Sequence, residues 1–331
     1  MNLTEIYFPS VPAFLGDTLQ TKPLLRLMDV GMNCGCEYTQ LPQFCGLSSY
    51  SRFEHSLGVA LIVWKFTQVP AQAMAGLLHD ISTPVFAHVV DFLKGDYLKQ
   101  EATEADTERF ILSSPDLLCT LEQHGLSLSS VKDYHIYPIA DNDSPKLSAD
   151  RLEYSLGNMV NYGFTDIAAA RELYDDLCVD TNEFGEPELM FQHQNCAAAF
   201  AQNALRCAKV YVSDEDRYSM QYLAELLRDA LSLHIISASD LNGTETQMIR
   251  KLLLNESTAH RWNNFRQLSI IEFSLEQPVG TEWRQIYAKK RYIDPYVKDH
   301  GRLSALDPTF ATDLELFRSQ SQDYWIRGRK S

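Results

Sequence analysis

Two histidines and two aspartates are the residues whose types and spacing are best suited to chemistry. His55 lies in the apolar segment RFEHSLGVA, and the doublet His79-Asp80 ends the apolar segment AQAMAGLLHD, 24 residues further along. Histidine nitrogens and carboxylate oxygens bind divalent metals. A fourth ligand has to come from later in the chain, and Asp150 in KLSADRLEY is the best candidate because it opens another helix-like run.

The elements that must position these residues are predicted to be helices. Apolar residues at 57, 60, 61 and 64 follow the i, i+3, i+4, i+7 pattern of a buried helix face, which predicts a helix over Phe53–Thr67. Pro70 opens the next helix, which ends at the histidine–aspartate doublet. A third helix is predicted over Pro84–Lys94, and residues 138–147 are predicted to be a loop that delivers the fourth ligand.

The second half of the chain has a more mixed pattern. Residues 178–191 are predicted to be a β-hairpin around a glycine-containing turn. Three helices are predicted to follow, at 193–211, 213–235 and 244–255. Beyond residue 269, β-branched and aromatic residues predict a pair of strands around a Pro-Val-Gly turn, and the basic residues 327–331 are predicted to be frayed.

These patterns predict a mainly α fold. We expect a helical core with an N-terminal wrap over residues 1–177, and a helical extension with a hairpin and a smaller α+β C-terminal part over residues 178–331. A chain of 331 residues, 45% of them hydrophobic, is long enough to bury a sizeable core.

The acidic balance of the chain limits its partners. Lysine and arginine number 29 against 44 acidic residues, so the formal charge is 29 − 44 = −15. Nucleic-acid binding rests on neutralising phosphates, which makes such a partner improbable for so acidic a surface. No apolar run approaches the roughly 20 residues that a membrane span needs, and the start of the chain lacks the pattern of a secretory signal.

Cysteine usage indicates a reducing compartment. Seven cysteines, an odd number, lie mostly in apolar text, so we expect free thiols and a cytoplasmic location. Cys34, Cys36 and Cys45 could also be interpreted as a zinc cluster. That alternative lacks a close fourth ligand and the usual two-residue spacing between paired cysteines.

The order of the candidate ligands and the text around them resemble the HD-domain metal-dependent phosphohydrolases, and within that superfamily the dNTP triphosphohydrolase-like branch. The matching text is RFEHSLGVA at 52–60, LLHD at 77–80, PVFAHVVD at 84–91 and SADRLEY at 148–154. The resemblance implies the HD fold and one divalent metal ion. Nitrogen and oxygen ligation suits Mn, Fe, Ni, Co, Zn or Mg without choosing among them. The implied metal ligands are His55, His79, Asp80 and Asp150.

The resemblance also implies catalytic residues beside the metal. His88 matches a histidine near the substrate phosphates, and Asp91 matches the carboxylate that pairs with it; together with the ligand Asp80 they are the catalytic candidates. A neighbouring carboxylate favours the imidazolium form of a histidine, which suits proton donation or phosphate binding. The alternative is a histidine–aspartate pair on a helix surface.

Further matches imply contacts with the substrate. Arg52 matches a residue that contacts phosphate or sugar, although it could instead form a salt bridge to Glu54 or Glu153. Tyr154 matches a tyrosine that stacks on the sugar, although core packing explains it equally well. The substrate-binding candidates are Arg52, Tyr154, Asn158, Arg206 and Tyr211.

The chain departs from the family around these residues. Thr83, or Ser82 in a shifted register, stands where the family has the first of two histidines after the doublet. A further histidine–glutamate pair is absent downstream, where the nearest text is Gln100-Glu101 or Thr103-Glu104. Asn158 stands where the dNTP enzymes have the carboxylate that contacts the sugar 3′-hydroxyl. Of the triphosphate clamp only Tyr211 keeps its register, and Arg206 or Lys209 would have to replace its other cations.

Two functions remain open at this point. The first is a metal-dependent phosphohydrolase that cleaves a phosphate ester of a nucleotide or another small phosphorylated substrate. The second is a metal- or nucleotide-binding protein with little turnover and a regulatory role. An open metal position beside accessible Arg52 and His88 would favour the enzyme, whereas a position blocked by Thr83, Glu101 or Glu104 would favour the binding protein. We also expect a dimer or larger oligomer, because apolar strand edges within Phe265–Glu276 need cover.

Overall fold

The computed structural model describes residues 3–95 and 106–331, and it is mainly α-helical with two small sheets. The helices in chain order are α1 (Thr4–Tyr7), α2 (Ala13–Leu19), α3 (Lys22–Arg26), α4 (Arg52–Thr67), α5 (Pro70–Leu78), α6 (Val89–Lys94), α7 (Thr107–Leu112), α8 (Pro115–Gln123), α9 (Leu128–Val131), α10 (Ala149–Asn161), α11 (Ile167–Asp175), α12 (Gln194–Val210), α13 (Asp214–Ser232), α14 (Glu245–Leu253), α15 (Glu256–Arg266), α16 (Leu303–Leu306) and α17 (Pro308–Ser319). The strands are β1 (Leu177–Thr181), β2 (Pro187–Phe191), β3 (Ile270–Ser274), β4 (Arg284–Gln285), β5 (Tyr296–Val297), β6 (Gly301–Arg302) and β7 (Trp325–Arg329). The mainly α fold class with a smaller α+β part is confirmed.

The central pair of helices, α4 and α5, forms where the apolar pattern predicted it. A capping box starts α4: the Ser51 hydroxyl accepts from the backbone N–H of Glu54, whose carboxylate accepts from the Ser51 N–H. Gln68, in the left-handed region at φ 54°, ends the helix. Gly76 allows α5 to approach α4 closely, because an added Cβ there would lie 3.2 Å from Val59 Cγ1. The doublet at the end of α5 is thereby fixed against α4.

The prediction of a helix over Pro84–Lys94 is wrong in its first half. Only α6 is helical, and the preceding residues form turns in which Phe86 and Ala87 have φ values of 57° and 46°. Such a left-handed pair without glycine is strained, and it persists only where the surrounding packing compensates. Both residues are fully buried, with the Phe86 ring 6.1 Å from the ring of Trp262. Long-range packing therefore overrides the local helical pattern.

Two hydrophobic clusters form the interior. The first core joins α1, α2, α4, α5, α10, α11 and α12 with the β1–β2 hairpin and α17. The second core joins residues 34–44 and 85–92 with α13, α14, α15 and the strand residue Ile326. Each core takes residues from both sides of position 177, and the division of the chain there stays a prediction.

The two sheets lie in the second half of the chain. The first has the order β1-β2-β5-β6, and its β1–β2 hairpin, with Leu177 opposite Phe191, confirms the hairpin prediction. The second has the order β3-β7-β4. Its middle strand β7 is antiparallel to both neighbours, so the prediction that residues 327–331 are frayed is wrong for residues 327–329. The prediction that two strands pair around the Pro-Val-Gly turn is wrong, because β7 lies between β3 and β4. The helix α17 lies in text to which the sequence analysis assigned no element.

The cysteines and the helix lengths bear on two further predictions. All seven cysteines are free thiols. Across residues 3–95 and 106–331, Cys34, Cys36 and Cys45 are not among the groups whose ligand atoms lie within 4.8 Å of one another, so the structure does not support the alternative of a zinc cluster. In residues 3–95 and 106–331, no helix combines the length and the apolar character needed to cross a bilayer.

Candidate metal centre

Three helices bring the predicted ligands to one point. His55 lies in the first turn of α4, His79 directly follows α5, and Asp150 lies in the first turn of α10. The two histidine Nε2 atoms are 3.2 Å apart. Oδ1 of Asp150 lies 3.0 Å from Nε2 of His55 and 3.6 Å from Nε2 of His79. The loop over 138–147, as predicted, leads into α10 and delivers this carboxylate.

Asp80 completes the set of converging donor atoms. Its Oδ2 lies 3.8 Å from Nε2 of His55 and 3.6 Å from Nε2 of His79. Ligand atoms bound about 2.1 Å from one ion at angles near 90–110° are separated by roughly 3.0–3.4 Å. The observed separations of 3.0–3.8 Å therefore suit a shared divalent ion. The ligand atoms of His55, His79 and Asp80 all lie within 4.8 Å of one another.

The opposite ring nitrogens of both histidines have partners that fix their tautomers. Nδ1 of His79 lies 2.7 Å from the Gly76 carbonyl oxygen, which can only accept a hydrogen bond. Nδ1 of His55 lies 2.5 Å from Oε2 of Glu153. With Nδ1 as the donor to these partners, Nε2 is the nitrogen of each ring that can bind a metal. In the absence of an ion, burial would lower the pKa of His55, but Asp150 and Glu153 raise it to about 10, so Nε2 of His55 is protonated and donates to Asp150. Both histidine side chains are almost completely buried.

The Asp80 carboxylate is fixed at both oxygens. The Thr83 hydroxyl donates to Oδ1 at 2.6 Å, and Nη1 of Arg52 donates to Oδ2 at 2.8 Å. Burial alone would raise the pKa of Asp80, but Arg52 and the two histidines outweigh it and hold the pKa well below its usual range. Thr83 therefore binds Oδ1 of Asp80, and the distances to the two histidines are made by the other oxygen, Oδ2. The partner of Arg52 is this aspartate, whereas sequence analysis weighed Glu54 or Glu153.

Asp150 is held more loosely than the other ligands. Its side chain is 20% exposed. The Ser148 hydroxyl caps the helix by accepting from the N–H of Arg151, and the Asp150 N–H donates to the Ala140 carbonyl. Burial would raise the pKa of Asp150, but the hydrogen bond to His55 and the charges of both histidines lower it to about 2. The carboxylate is therefore ionised at neutral pH and can bind a cation.

His88 and Asp91 form the predicted pair. Nδ1 of His88 lies 2.8 Å from Oδ2 of Asp91, which is fully buried, while the imidazole is 24% exposed. The contact with Asp91 favours imidazolium, as expected, but other influences outweigh it. Burial lowers the pKa of His88, the positive charges of Arg291 and Arg52 lower it further, and the carboxylate does not compensate.

The substrate-binding candidates separate into two groups. Nδ2 of Asn158 donates to the Tyr211 hydroxyl at 2.7 Å, and the ring of Tyr154 lies 6.2 Å from the ring of Tyr211. Arg206 instead lies on the exposed face of α12, 4.0 Å above the ring of Phe164. The roles of all these residues stay predictions. Gln100-Glu101 and Thr103-Glu104 lie outside the described residues.

Two supporting residues were not assigned a role from the sequence. Glu153 contacts His55, and Thr83 contacts Asp80. Each lies three residues after a ligand, Asp150 and Asp80 respectively. Residues three apart share a helix face in α10, so a polar residue three positions after Asp150 was the available signal for Glu153. Thr83 lies in the turns after α5, where helix spacing gives no such signal.

Two known proteins are similar in sequence to part of this chain. No family model matches the chain. The uncharacterized protein YdhJ of Bacillus subtilis is 28% identical over 205 residues, which are 61% of this chain and 61% of that protein. The metal-dependent phosphohydrolase cns2 of Cordyceps militaris is 28% identical over 166 residues, which are 49% of this chain and 45% of that protein. The chain thus spans less than two thirds of the length of either curated relative.

Two solved structures match almost the whole chain. A phosphohydrolase from Bacteroides thetaiotaomicron has a TM-score of 0.64 at 15% identity and covers 97% of both chains. The chain has the same fold. A hypothetical protein from Aquifex aeolicus has a TM-score of 0.63 at 18% identity and covers 97% of this chain and 93% of its own. At these identities the likeness shows the fold alone.

Proposed function

We propose that this protein is a metal-dependent phosphohydrolase of the HD type that acts on a small phosphate ester. The observation that carries the proposal is that two histidine Nε2 atoms lie 3.2 Å apart and that one oxygen of Asp80 and one of Asp150 each lie 3.0–3.8 Å from both of them. The proposal is also supported by the Cordyceps militaris relative, named a metal-dependent phosphohydrolase, and by the Bacteroides thetaiotaomicron neighbour, named a phosphohydrolase.

The residues around the metal position suit hydrolysis of a phosphate ester. A divalent ion there would polarise the phosphoryl oxygens and lower the pKa of a water molecule. Arg52, held against Asp80, places a fixed positive charge beside that position. His88 donates from Nδ1 to Asp91, and its lowered pKa keeps the imidazole neutral, so Nε2 can accept a proton from the attacking water and return it to the leaving oxygen.

The substrate that we propose is a monophosphate or another small phosphoester, with a nucleotide among the candidates. A triphosphate carries about four negative charges at neutral pH and needs several cations to bind. Arg151 is already paired with Asp141 at 3.2 Å. Arg206 lies over an aromatic ring on an exposed helix face. The cations left beside the metal position suit one phosphate better than three. We therefore propose that the protein is not primarily a dNTP triphosphohydrolase.

A phosphate-release screen tests this proposal. With Mn²⁺, Co²⁺ or Ni²⁺ added, we expect release from nucleoside monophosphates or small phosphoesters at a kcat/KM at least about tenfold above that for dNTPs, a margin of about 1.4 kcal/mol. The His79→Ala protein, purified identically, controls for contaminating phosphatases. Rapid release of inorganic triphosphate from dGTP would contradict the substrate proposal and favour the dNTP branch. Absence of release from every ester would contradict the enzyme itself.

A regulatory binding protein is the second candidate function. It is favoured by Arg52, whose side chain is only 10% exposed and already paired with Asp80. An arginine in that state would need to exchange partners before it could bind a phosphate. Equilibrium dialysis with the same compounds distinguishes the two functions, because binding without phosphate release supports regulation.

We propose self-association through the edge of the second sheet. The strand β3 lies at that edge, and Phe273 and Leu275 are 67% and 79% exposed. Exposed apolar edge strands pair readily with a second chain. We expect light scattering at micromolar concentration to give at least twice the chain mass of 37.7 kDa, and Phe273→Lys to lower it. A mass of 37.7 kDa for the unaltered protein would contradict the proposal.

The location that we propose is the cytoplasm. The support is chemical: seven cysteines are free thiols, and free thiols persist in reducing compartments.

A further inference from the structure

We propose that Glu153 is a positioning residue of the metal centre and that Tyr7 and Tyr50 hold it in place. Through this carboxylate the N-terminal helix α1 would contribute to the affinity for metal. The inference rests on the proposed metal site and extends it to residues that contact neither ion nor substrate.

The buried Glu153 carboxylate contacts three other side chains. It is 2% exposed. Its Oε2 accepts from the Tyr50 hydroxyl at 2.5 Å and lies 2.5 Å from Nδ1 of His55. Its Oε1 accepts from the Tyr7 hydroxyl at 3.3 Å. Both carboxylate oxygens are therefore satisfied by hydrogen bonds, which a carboxylate removed from water requires.

The contact with His55 is of the kind that tunes a metal ligand. A carboxylate that accepts from the distal N–H fixes the ring orientation and increases the basicity of the ligating nitrogen. His79 has a neutral carbonyl as its corresponding partner. The two histidines of the site therefore differ in their support, and His55 is the one whose basicity depends on a charged group.

Two glycines provide the space that this arrangement occupies. A Cβ added at Gly58 would lie 2.6 Å from Oε1 of Glu153, and a Cβ added at Gly157 would lie 2.4 Å from the Tyr50 hydroxyl. Both glycines lie inside helices, where glycine costs roughly 1 kcal/mol relative to alanine. A close approach of Glu153 and Tyr50 explains why both positions lack a side chain.

Tyr7 links the site to the start of the chain. It belongs to α1, and its backbone carbonyl accepts from the Tyr174 hydroxyl at 3.0 Å, with the two rings 5.2 Å apart. The Tyr7 side chain is 1% exposed. Docking of α1 against α4 and α11 therefore places a hydroxyl donor on the far oxygen of Glu153.

The test measures the affinity for Mn²⁺ directly, by the electron paramagnetic resonance signal of the free ion. We expect Glu153→Gln to weaken Mn²⁺ binding by roughly 10–100-fold, the usual cost of losing such a partner. Tyr50→Phe and Tyr7→Phe should each weaken it by a smaller factor, of at least about threefold. Tyr162→Phe is the matched control, since it loses one hydrogen bond, to Asn33, and does not touch Glu153.

Thermal unfolding of the same metal-free proteins separates positioning from stability. Weaker Mn²⁺ binding by Tyr50→Phe and Tyr7→Phe, at a Tm matching that of Tyr162→Phe, supports the inference. If Tyr50→Phe and Tyr7→Phe bind Mn²⁺ with wild-type affinity, the inference is overturned. This test remains decisive even if Glu153→Gln does not fold. If the unaltered protein binds no Mn²⁺, Co²⁺, Ni²⁺ or Zn²⁺, the proposed function fails as well, so the two failures are distinguishable.

Discussion

Replacing His79 or Asp80 by alanine will remove the divalent ion and abolish phosphate release. Each residue contributes one of the converging donor atoms, and removing one leaves an open, weakly held ion. We expect metal content to fall from about one ion per chain to below roughly 0.1, and kcat/KM to fall at least about 10³-fold, or about 4 kcal/mol of transition-state stabilisation. Elemental analysis and the phosphate-release assay measure the two effects.

The ligand variants have a matched control on the surface. His193 is 70% exposed and pairs with Asp176, so His193→Ala should keep both metal and activity. The Asp80→Ala variant should also lose stability by roughly 3–5 kcal/mol, because it leaves the buried Arg52 charge without its partner. Full metal occupancy in Asp80→Ala or His79→Ala would refute the ligand assignment.

Ending the chain at Tyr324 will destabilise the protein strongly. The truncation removes β7, the middle strand of the second sheet, and leaves β3 and β4 without their shared partner. It also removes Ile326, which is fully buried in the second core. Burial of such a side chain is worth about 1.5–3 kcal/mol and each lost hydrogen bond about 0.5–1.5 kcal/mol. We expect the free energy of unfolding to fall by at least about 3 kcal/mol.

Urea unfolding with a second truncation isolates the strand. Ending the chain at Arg329 removes only two residues beyond β7 and should leave the midpoint unchanged within error. Equal midpoints for the two truncated proteins would show that β7 contributes nothing, as expected of a frayed terminus.

The sequence predicted the helices that carry the metal centre because their signals are local. The apolar period of α4 and the proline that opens α5 both act within a few residues. The β1–β2 hairpin was predicted for the same reason, since its two strands are joined by a short glycine-containing loop.

The elements that the sequence analysis missed depend on distant partners. The strand β7 pairs with residues at least 40 positions earlier in the chain, and nothing in its own basic text indicates such partners. The local sequence around Phe86 and Ala87 predicts a helix, but these residues form a turn. That turn is stabilised by packing against the region of residue 262. The residue pattern within a short stretch of sequence cannot reveal contacts with residues that are distant in the chain.

The sequence predicted the candidate metal ligands better than it predicted the residues that hold those ligands in position. Residue types and spacing indicated the four candidate ligands, the resemblance implied the same set, and the fold brings them together. The functions of Thr83 and Glu153 depend on which oxygen of a carboxylate faces which neighbour, and spacing alone does not determine that. The lowered pKa of His88 likewise follows from burial and nearby cations, which outweigh the adjacent Asp91.

The composition of the second core has a consequence for synthesis on the ribosome. Residues 34–44 and 85–92 pack in that core against helices and a strand made much later, the last of them containing Ile326. At 5–20 residues per second, the interval between Asp150 and Ile326 takes on the order of 10 s or more. The nascent chain therefore carries all four ligands well before the second core can close. A divalent ion that binds during this interval would meet the candidate ligands before the second core has closed around the Phe86 turn.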